Sequence, residues 1–269
     1  MSFTNLESFR DLVIDDTISN SGNNQVYLAH EKMKSEKIIL KMSSNPNLLN
    51  EYKNMKKISH SNVIKPIEAY SDINQNIYLY SMPFALGGDL FSYYENKFRS
   101  YSWLSEEEVR NIMRPLFSAV NCIHQNELVH CDLKPENIYF EDDQENSNIL
   151  IGDFGSACKI SDINNNLIHM TSPYAAPEIL QENMKITEKI DCWALGIIMY
   201  LLLYLCYPFY QKSSIDNIWW DEERILKGDF FFPTDDRSYE AKDLINHLIC
   251  VNADERFSAK DALNHKWFQ

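Results

Sequence analysis

The chain has 269 residues, 45% hydrophobic and 24% charged, which is the ordinary globular range and excludes global disorder and coiled coil. Its formal net charge of -14 argues against nucleic acid or an anionic membrane surface as a partner, and it suits a basic peptide. The six cysteines have no CxxC spacing, and the histidines do not cluster with them. This pattern predicts reduced thiols rather than a zinc site or a disulfide framework.

No segment of the sequence has the pattern of a signal peptide or of a membrane-spanning helix. The N-terminal residues, MSFTNLE, lack the basic stretch and apolar core of a signal peptide. The longest apolar run, residues 192–207, has 16 residues, fewer than the ~18 of a membrane span. We therefore expect a helix buried inside a large lobe, no membrane span, and an intracellular, cytoplasmic protein.

The first part of the sequence has the pattern of a small β-sheet. Short runs of β-branched, aromatic and aliphatic residues predict strands at 12–14, 25–29, 37–42 and 77–82. A polar cluster at 20–24, which contains Gly22, predicts a turn between the first two strands. Apolar residues at helical spacing over 48–58 predict one helix within this part.

After residue 88 the pattern becomes helical. Long periodic segments predict helices at 105–126, 189–204, 239–250 and 258–268. Ser105 and Glu108 form an S-x-x-E capping box at the start of the first of them. The sequence thus predicts an α+β domain over 1–269, with a β-rich lobe at about 1–82, a hinge at about 83–86 and a helical lobe from 87.

The segment 130–137, which reads HCDLKPEN, carries the strongest chemical signal. The sequence DFG begins at Asp153, 21 residues after Asp132, and APE begins at Ala176. This order and spacing resemble the protein kinase family, whose catalytic loop reads H-R-D-L-x-x-x-N. The resemblance covers about residues 11–268. It is closest in general look to the calcium/calmodulin-dependent kinases, and it implies a bilobal protein kinase fold that binds ATP.

The resemblance assigns roles that suit the chemistry of phosphoryl transfer, which needs an oriented hydroxyl and neutralised phosphate charge. Asp132 is implied to accept the proton of the hydroxyl. Asn137 and Asp153 are implied to supply hard oxygen ligands to Mg²⁺, with Mn²⁺ as the alternative ion. Lys134 is implied to contact the γ-phosphate, and it looks like a mark of serine/threonine kinases. For each residue taken singly, the alternative is an ordinary surface charge in a loop.

In the N-terminal lobe, the sequence IILK ends at Lys41 and is similar to the V-A-I-K of the family. The resemblance implies that Lys41 pairs with phosphates and with Glu51 on the following helix. The alternative is a plain structural ion pair, since a half-buried lysine needs a counter-charge. Ile39 stands at the usual Ala position and is expected to crowd the adenine pocket, with Val26 above the adenine and Tyr139 below it.

Residues 79–91, LYSMPFALGGDLF, resemble the hinge of the family. The resemblance implies that Met82 is the gatekeeper and that Pro83 and Ala85 offer backbone groups to the adenine edge. Pro83 has no N–H, so only its carbonyl can serve. Asp89 is implied to face the ribose.

The phosphate-covering loop departs from the family pattern G-x-G-x-x-G-x-V. Counted back from Val26, the three glycine positions hold Ser19, Ser21 and Asn24, and Gly22 is adjacent. Glycine at these positions lets backbone N–H groups approach phosphates. We expect Ser19, Ser21 and Gly22 to contact ATP, with weakened affinity. The alternative is a pseudokinase, in which the same fold is a binding or scaffolding module.

Cys131 stands where most regulated kinases carry Arg, so the chain is similar to the non-RD kinases. That Arg pairs with a phosphorylated residue of the activation segment. Residues 162–170, where the phosphosite usually lies, contain no Ser or Thr, and Thr171 resembles the residue that contacts the catalytic Asp and Lys. We expect activity without phosphorylation of this segment. The alternative for Cys131 is a small buried thiol without a redox role.

Two acidic residues, Glu136 and Asp89, match positions that contact substrate arginines in basophilic relatives. With the net charge of -14, they predict protein or peptide substrates that carry Ser or Thr among Arg or Lys residues. A small-molecule kinase on a related fold is the alternative. It is disfavoured by residues 171–178, which resemble a peptide-docking segment. The sequence makes no prediction of oligomeric state.

Two further positions resemble structural residues of the family. Asp191, which opens a D-x-W-x-x-G sequence, is implied to hold the catalytic loop through backbone N–H groups. Arg256 is implied to pair with Glu178. We expect neither position to take part in catalysis.

Overall fold

A computed structural model describes residues 11–144, 146–165, 170–181, 185–213 and 217–269. The described chain is an α+β arrangement, as predicted, with a β-sheet in the N-terminal part and mainly helices after it. No helix in the described part combines the length and apolar character needed to cross a membrane.

The N-terminal sheet has five antiparallel strands in the order β1-β2-β3-β5-β4. Their bounds are β1 Leu12–Ser21, β2 Asn24–Glu31, β3 Lys37–Ser43, β4 Ala69–Asp72 and β5 Ile77–Pro83. The four predicted strands are confirmed, and β4 is an addition. β1 continues well past the predicted 12–14, because its polar, exposed residues are held by pairing with β2 rather than by an apolar face.

Helix α1, Leu48–Lys57, confirms the predicted helix of the N-terminal part. It buries Leu49 and Met55 and also the carboxylate-bearing residue Glu51. Apolar residues on this face explain why the helix packs inward. A buried Glu needs partners, and these lie at the site described below.

Seven helices follow in the described C-terminal part. They are α2 Leu90–Arg99, α3 Glu106–Gln125, α4 Pro177–Leu180, α5 Lys189–Tyr204, α6 Glu222–Lys227, α7 Tyr239–Leu248 and α8 Ala259–Leu263. The predicted helices at 105–126, 189–204 and 239–250 are confirmed to within two residues. Both reciprocal hydrogen bonds of the capping box between Ser105 and Glu108 are present. Residues 190–204 of α5 are buried on every face, as the apolar run predicts.

The predicted helix at 258–268 is wrong in extent. It is divided into α8 and a short 3₁₀ helix, Lys266–Phe268. The break has a local cause, because the His265 side chain accepts a hydrogen bond from the Trp267 N–H and so starts a second turn.

Short strands frame the connecting loops of the C-terminal part. They are β6 Leu128–Val129, β7 Ile138–Phe140, β8 Ile149–Ile151, β9 Cys158–Lys159, β10 Tyr210–Ser213 and β11 Asn217–Trp220. β7 pairs with β8, and β6 pairs with β9. The segment 130–137 therefore starts after β6 and ends at β7, and Asp153 lies two residues after β8. Both chemical motifs thus adjoin the β7–β8 pair.

Candidate active site

The loop 130–137 is fixed from beneath by one carboxylate. Asp191, in the first turn of α5, is fully buried, and it accepts hydrogen bonds from the His130 N–H at 2.9 Å and the Cys131 N–H at 3.0 Å. His124 of α3 contacts the same carboxylate at 2.9 Å. Cys131 adopts a φ of +66°, a left-handed conformation unusual for a residue other than glycine. The loop is thus anchored as the sequence predicts.

Asp132 lies at the centre of a network of donors. Its Oδ1 accepts from the Thr171 hydroxyl at 2.9 Å, and its Oδ2 lies 2.8 Å from Lys134 Nζ. Lys134 Nζ also donates to the Thr171 hydroxyl oxygen at 2.9 Å. Asn137 Nδ2 donates to the Asp132 carbonyl oxygen at 2.8 Å, so its amide oxygen is left available to another ligand. The structure thereby brings the three predicted residues of this loop and Thr171 into one cluster.

Lys41 of β3 forms two ion pairs. Its Nζ lies 2.8 Å from Glu51 Oε1 on α1 and 2.9 Å from Asp153 Oδ1. Burial alone would lower the pKa of the Lys41 ammonium, but Glu51 and its neighbours outweigh burial and hold this pKa well above its usual value. Burial would also raise the pKa of Asp153, yet the adjacent Lys41 keeps it below its usual value. Lys41 and Asp153 are therefore both charged where they meet.

Tyr80 is a member of this group that sequence reasoning missed. Its hydroxyl donates to Glu51 Oε1 at 2.7 Å, and the side chain is completely buried on β5. The bond orients the carboxylate that meets Lys41. The only signal in the sequence is a tyrosine within an apolar strand, which does not distinguish an aromatic core residue from a hydrogen-bond donor.

Asp153 and Phe154 couple the two motifs. Asp153 has a φ of +56°, which turns the chain sharply after β8. Phe154 is buried and packs edge-on against the His130 ring, with centroids 4.9 Å apart. His130 Nε2 meets the Gly152 carbonyl at 2.9 Å. The loop 130–137 and the turn at Asp153 therefore hold each other in place.

A cavity of about 640 Å³ opens between the N-terminal sheet and β7. Eleven of the residues predicted to bind nucleotide line it: Ser19, Ser21, Val26, Ile39, Lys41, Met82, Pro83, Ala85, Asp89, Tyr139 and Asp153. Gly22 lies at the tip of the β1–β2 turn with a φ of +57°, outside this lining. Apolar walls that sequence reasoning missed come from Ile18, Leu48, Ile64, Phe84 and Leu86.

Two buried apolar residues on paired strands line the cavity. Ile39 on β3 lies opposite Met82 on β5, and both are buried. Ile39 therefore contributes a branched side chain to the cavity lining, and the crowding of the adenine pocket stays a prediction. At the other edge Asp89 caps α2, because its Oδ1 accepts the Ser92 N–H at 2.7 Å. One of its two carboxylate oxygens therefore already has a structural role.

A bidentate ion pair lies beneath the site. Arg256 Nη1 and Nη2 donate to the two carboxylate oxygens of Glu178 at 2.6 and 2.8 Å, and both side chains are fully buried. Arg256 also donates to the Lys189 carbonyl and stacks over Trp193 at 5.0 Å. The predicted pair is confirmed, and it joins α4 to the start of α5.

Comparison with known proteins agrees with this geometry. The family described as the protein kinase domain matches residues 18–268. The chain is 35% identical over 264 residues to calcium/calmodulin-dependent protein kinase type 1 of Caenorhabditis elegans, covering 94% of this chain and 72% of the relative. It is 38% identical to calcium-dependent protein kinase 5 of Plasmodium berghei over 80% of this chain and 37% of that one. Identity to the bovine phosphorylase b kinase gamma catalytic chain, liver/testis isoform, is 36%, and the match covers 78% of this chain and 51% of that one.

The match covers nearly all of the chain, so this chain belongs to the protein kinase family. Within that family it is a protein serine/threonine kinase, and the predicted likeness to the calcium/calmodulin-dependent group is confirmed.

Proposed function

We propose that the chain transfers the γ-phosphoryl group of ATP to Ser or Thr hydroxyls of basic protein segments. The observation that carries the proposal is the network around Asp132, whose carboxylate is held by Thr171 and Lys134. A carboxylate fixed in this way can accept a proton from a substrate hydroxyl. Lys134 lies beside it and would meet the charge that develops on the transferred group.

The nucleotide would occupy the cavity between the sheet and β7. Lys41, positioned by Glu51, would pair with phosphate, and the chain at 83–86 would serve as the hinge between lobes at about 1–82 and 87–269. Pro83 and Ala85 line the cavity, which supports the proposal that their backbone groups would meet the adenine edge. Val26, Ile39 and Tyr139 line the cavity as well and would enclose the base.

The donor set fits Mg²⁺. Asp153 offers a carboxylate, and Asn137 offers the amide oxygen that its hydrogen bonds leave available. Hard oxygen ligands of this kind, together with phosphate oxygens, are what Mg²⁺ takes in phosphate sites, and Mn²⁺ accepts the same set. When bound, the ion supplies neutralisation of phosphate charge. Within the described residues no cluster of three or more His, Cys, Asp or Glu could hold a metal, which suits a site completed by the nucleotide.

A preference for basic substrates is supported by Glu136. Its side chain is exposed in the loop that carries Asp132, and no cation among the described residues pairs with it. It lies close enough to Tyr174 and Tyr207 to raise the pKa of both hydroxyls, after the larger effect of their burial. A substrate Arg or Lys would therefore find an uncompensated carboxylate beside the reacting hydroxyl. Asp89 would contribute less, since it caps α2.

An arrayed peptide library with Mg-ATP tests the proposal. We expect the purified chain to phosphorylate Ser or Thr peptides that carry Arg or Lys, and we expect Asp153→Ala to give background signal. Equal background from both proteins would favour the pseudokinase, a binding module that uses the same fold. In Glu136→Gln the advantage of basic over neutral peptides should fall about threefold, the size of an exposed ion pair. An unchanged ratio would refute the role of Glu136 without affecting the proposed transfer.

Restoring glycine in the phosphate-covering loop should tighten ATP binding. Ser19 and Ser21 line the cavity, and glycine at both positions would let backbone N–H groups come closer to phosphate. We expect the Ser19→Gly/Ser21→Gly variant to lower the KM for ATP about threefold with kcat little changed. Asn20→Gly is the matched control, because Asn20 lies on the same strand but outside the cavity lining. A KM that rises equally in both variants would show that strand flexibility outweighs the closer approach.

A further inference from the structure

Two cysteines from distant parts of the chain meet next to the loop 130–137. Cys131 Sγ lies 3.6 Å from Cys158 Sγ, 27 residues further along. The pairing of β6 with β9 brings them together, because Val129 lies opposite Cys158 and Cys131 is two residues beyond. Cys131 is completely buried, whereas Cys158 is half-buried.

The backbone around both sulfur atoms is fixed. The Cys131 N–H is held by Asp191 at 3.0 Å, and Cys158 is held in its strand ladder. A disulfide needs a sulfur separation of about 2.05 Å, so the two atoms have to approach by rotation about the side-chain bonds rather than by movement of the strands. The four other cysteines lie elsewhere, at 122, 192, 206 and 250.

We propose that Cys131 and Cys158 are a modification site, at which hydrogen peroxide oxidises the two thiols to an intramolecular disulfide. The inference does not depend on the proposed function, because it concerns only the two thiols and the segments that they join. Intracellular disulfides are rare, and those that occur are mostly transient and redox-sensing.

The reaction proceeds in two balanced steps. The Cys158 thiolate attacks one peroxide oxygen, the O–O bond breaks, and the departing hydroxide takes a proton to become water, which leaves a sulfenic acid on Cys158. The Cys131 sulfur then attacks the Cys158 sulfur, the S–O bond breaks, and hydroxide leaves as water with the Cys131 proton. Both sulfurs are oxidised, and one peroxide is reduced to two waters. The order follows from exposure, and it agrees with the hydrogen bond to Cys158 and the burial that raise the pKa of Cys131.

The bond would join the catalytic loop to the segment that leads from Asp153 to Thr171. Cys131 directly precedes Asp132, and Cys158 lies five residues after Asp153. Because the sulfurs are already in contact, the disulfide preserves the present arrangement. Closing a loop of this length lowers the entropy of the unfolded chain, and we expect the Tm of the oxidised protein to rise by about 5 °C.

The test is mass spectrometry of the intact chain after treatment with hydrogen peroxide, with free thiols alkylated under denaturing conditions. A glutamate-specific protease cuts after Glu127, Glu136 and Glu141, so it separates Cys131 from Cys122 and from Cys158. We expect the peptide 128–136 to be joined to the peptide that contains Cys158. Dithiothreitol should release it and return the Tm to its starting value.

Cys158→Ser should lose both the joined peptide and the rise in Tm, whereas Cys250→Ser should keep both. Cys158→Ser replaces a half-buried side chain, so the variant is expected to fold. Three results would overturn the proposal. They are sulfinic acid on Cys158 with Cys131 still alkylated, a peptide joined through Cys122, and no change at Cys131 or Cys158 at a peroxide dose that oxidises Cys250.

Discussion

Asp132→Asn is expected to lower kcat for peptide phosphorylation by about a thousandfold, within the range that a general base contributes. The substituted amide oxygen can still accept the Thr171 hydroxyl, which meets Oδ1 at 2.9 Å in the wild type. It carries no charge to pair with Lys134, and it cannot accept the proton of a substrate hydroxyl. Steady-state kinetics with a fixed peptide provide the measurement.

The same variant separates catalysis from binding. Asp132 is not part of the lining of the nucleotide cavity, so the KM for ATP should change less than threefold. Asp143→Asn, which alters an exposed carboxylate after β7, is the matched control and should leave both constants unchanged. A kcat for Asp132→Asn within tenfold of the wild type would mean that another group takes the proton.

Arg256→Ala is expected to destabilise the fold by about 3–5 kcal/mol, the usual cost of removing one partner of a buried pair. Glu178 accepts two hydrogen bonds from Arg256, at 2.6 and 2.8 Å, and would be left as a buried charge without its cation. For a chain of this size the Tm should fall by roughly 10 °C. Thermal unfolding followed by circular dichroism measures the shift.

Two further variants show whether the charge is the cause. Replacing both partners, as Arg256→Met with Glu178→Leu, removes the unpaired charge and should recover most of the lost Tm. Arg99→Ala breaks an exposed pair with Glu95 on α2 and should change the free energy of unfolding by no more than about 0.5 kcal/mol. If the double variant were as unstable as Arg256→Ala, lost packing against Trp193 would be the main cause.

Much of the site was predictable, because its chemistry is encoded in short contiguous motifs. The segment 130–137 and the DFG sequence from Asp153 each contain their chemically important residues within a few positions, in a fixed order. Helix α3 was equally accessible, since its capping box and apolar spacing are local signals. The structure adds the contacts that join these motifs, such as the packing of Phe154 against His130.

The missed features depend on contacts between residues distant in sequence. Tyr80 gains its role only when β5 lies beneath α1, and Cys158 meets Cys131 only through the pairing of β9 with β6. The second half of β1 has no apolar alternation, because it is exposed on both faces and is stabilised by its ladder with β2. Such features follow from topology, which composition and periodicity do not specify.

The position of Asp191 has a consequence for the local stability of the catalytic loop and for its inactivation by heat. The carboxylate that fixes His130 and Cys131 belongs to a helix buried on every face, so these two backbone amides share the protection of the deepest core. Local opening releases loops and chain ends well before such a core. These two amide protons, although they lie in an irregular loop, should therefore exchange as slowly as those of a central helix, and this anchor of the catalytic loop should last as long as the whole fold.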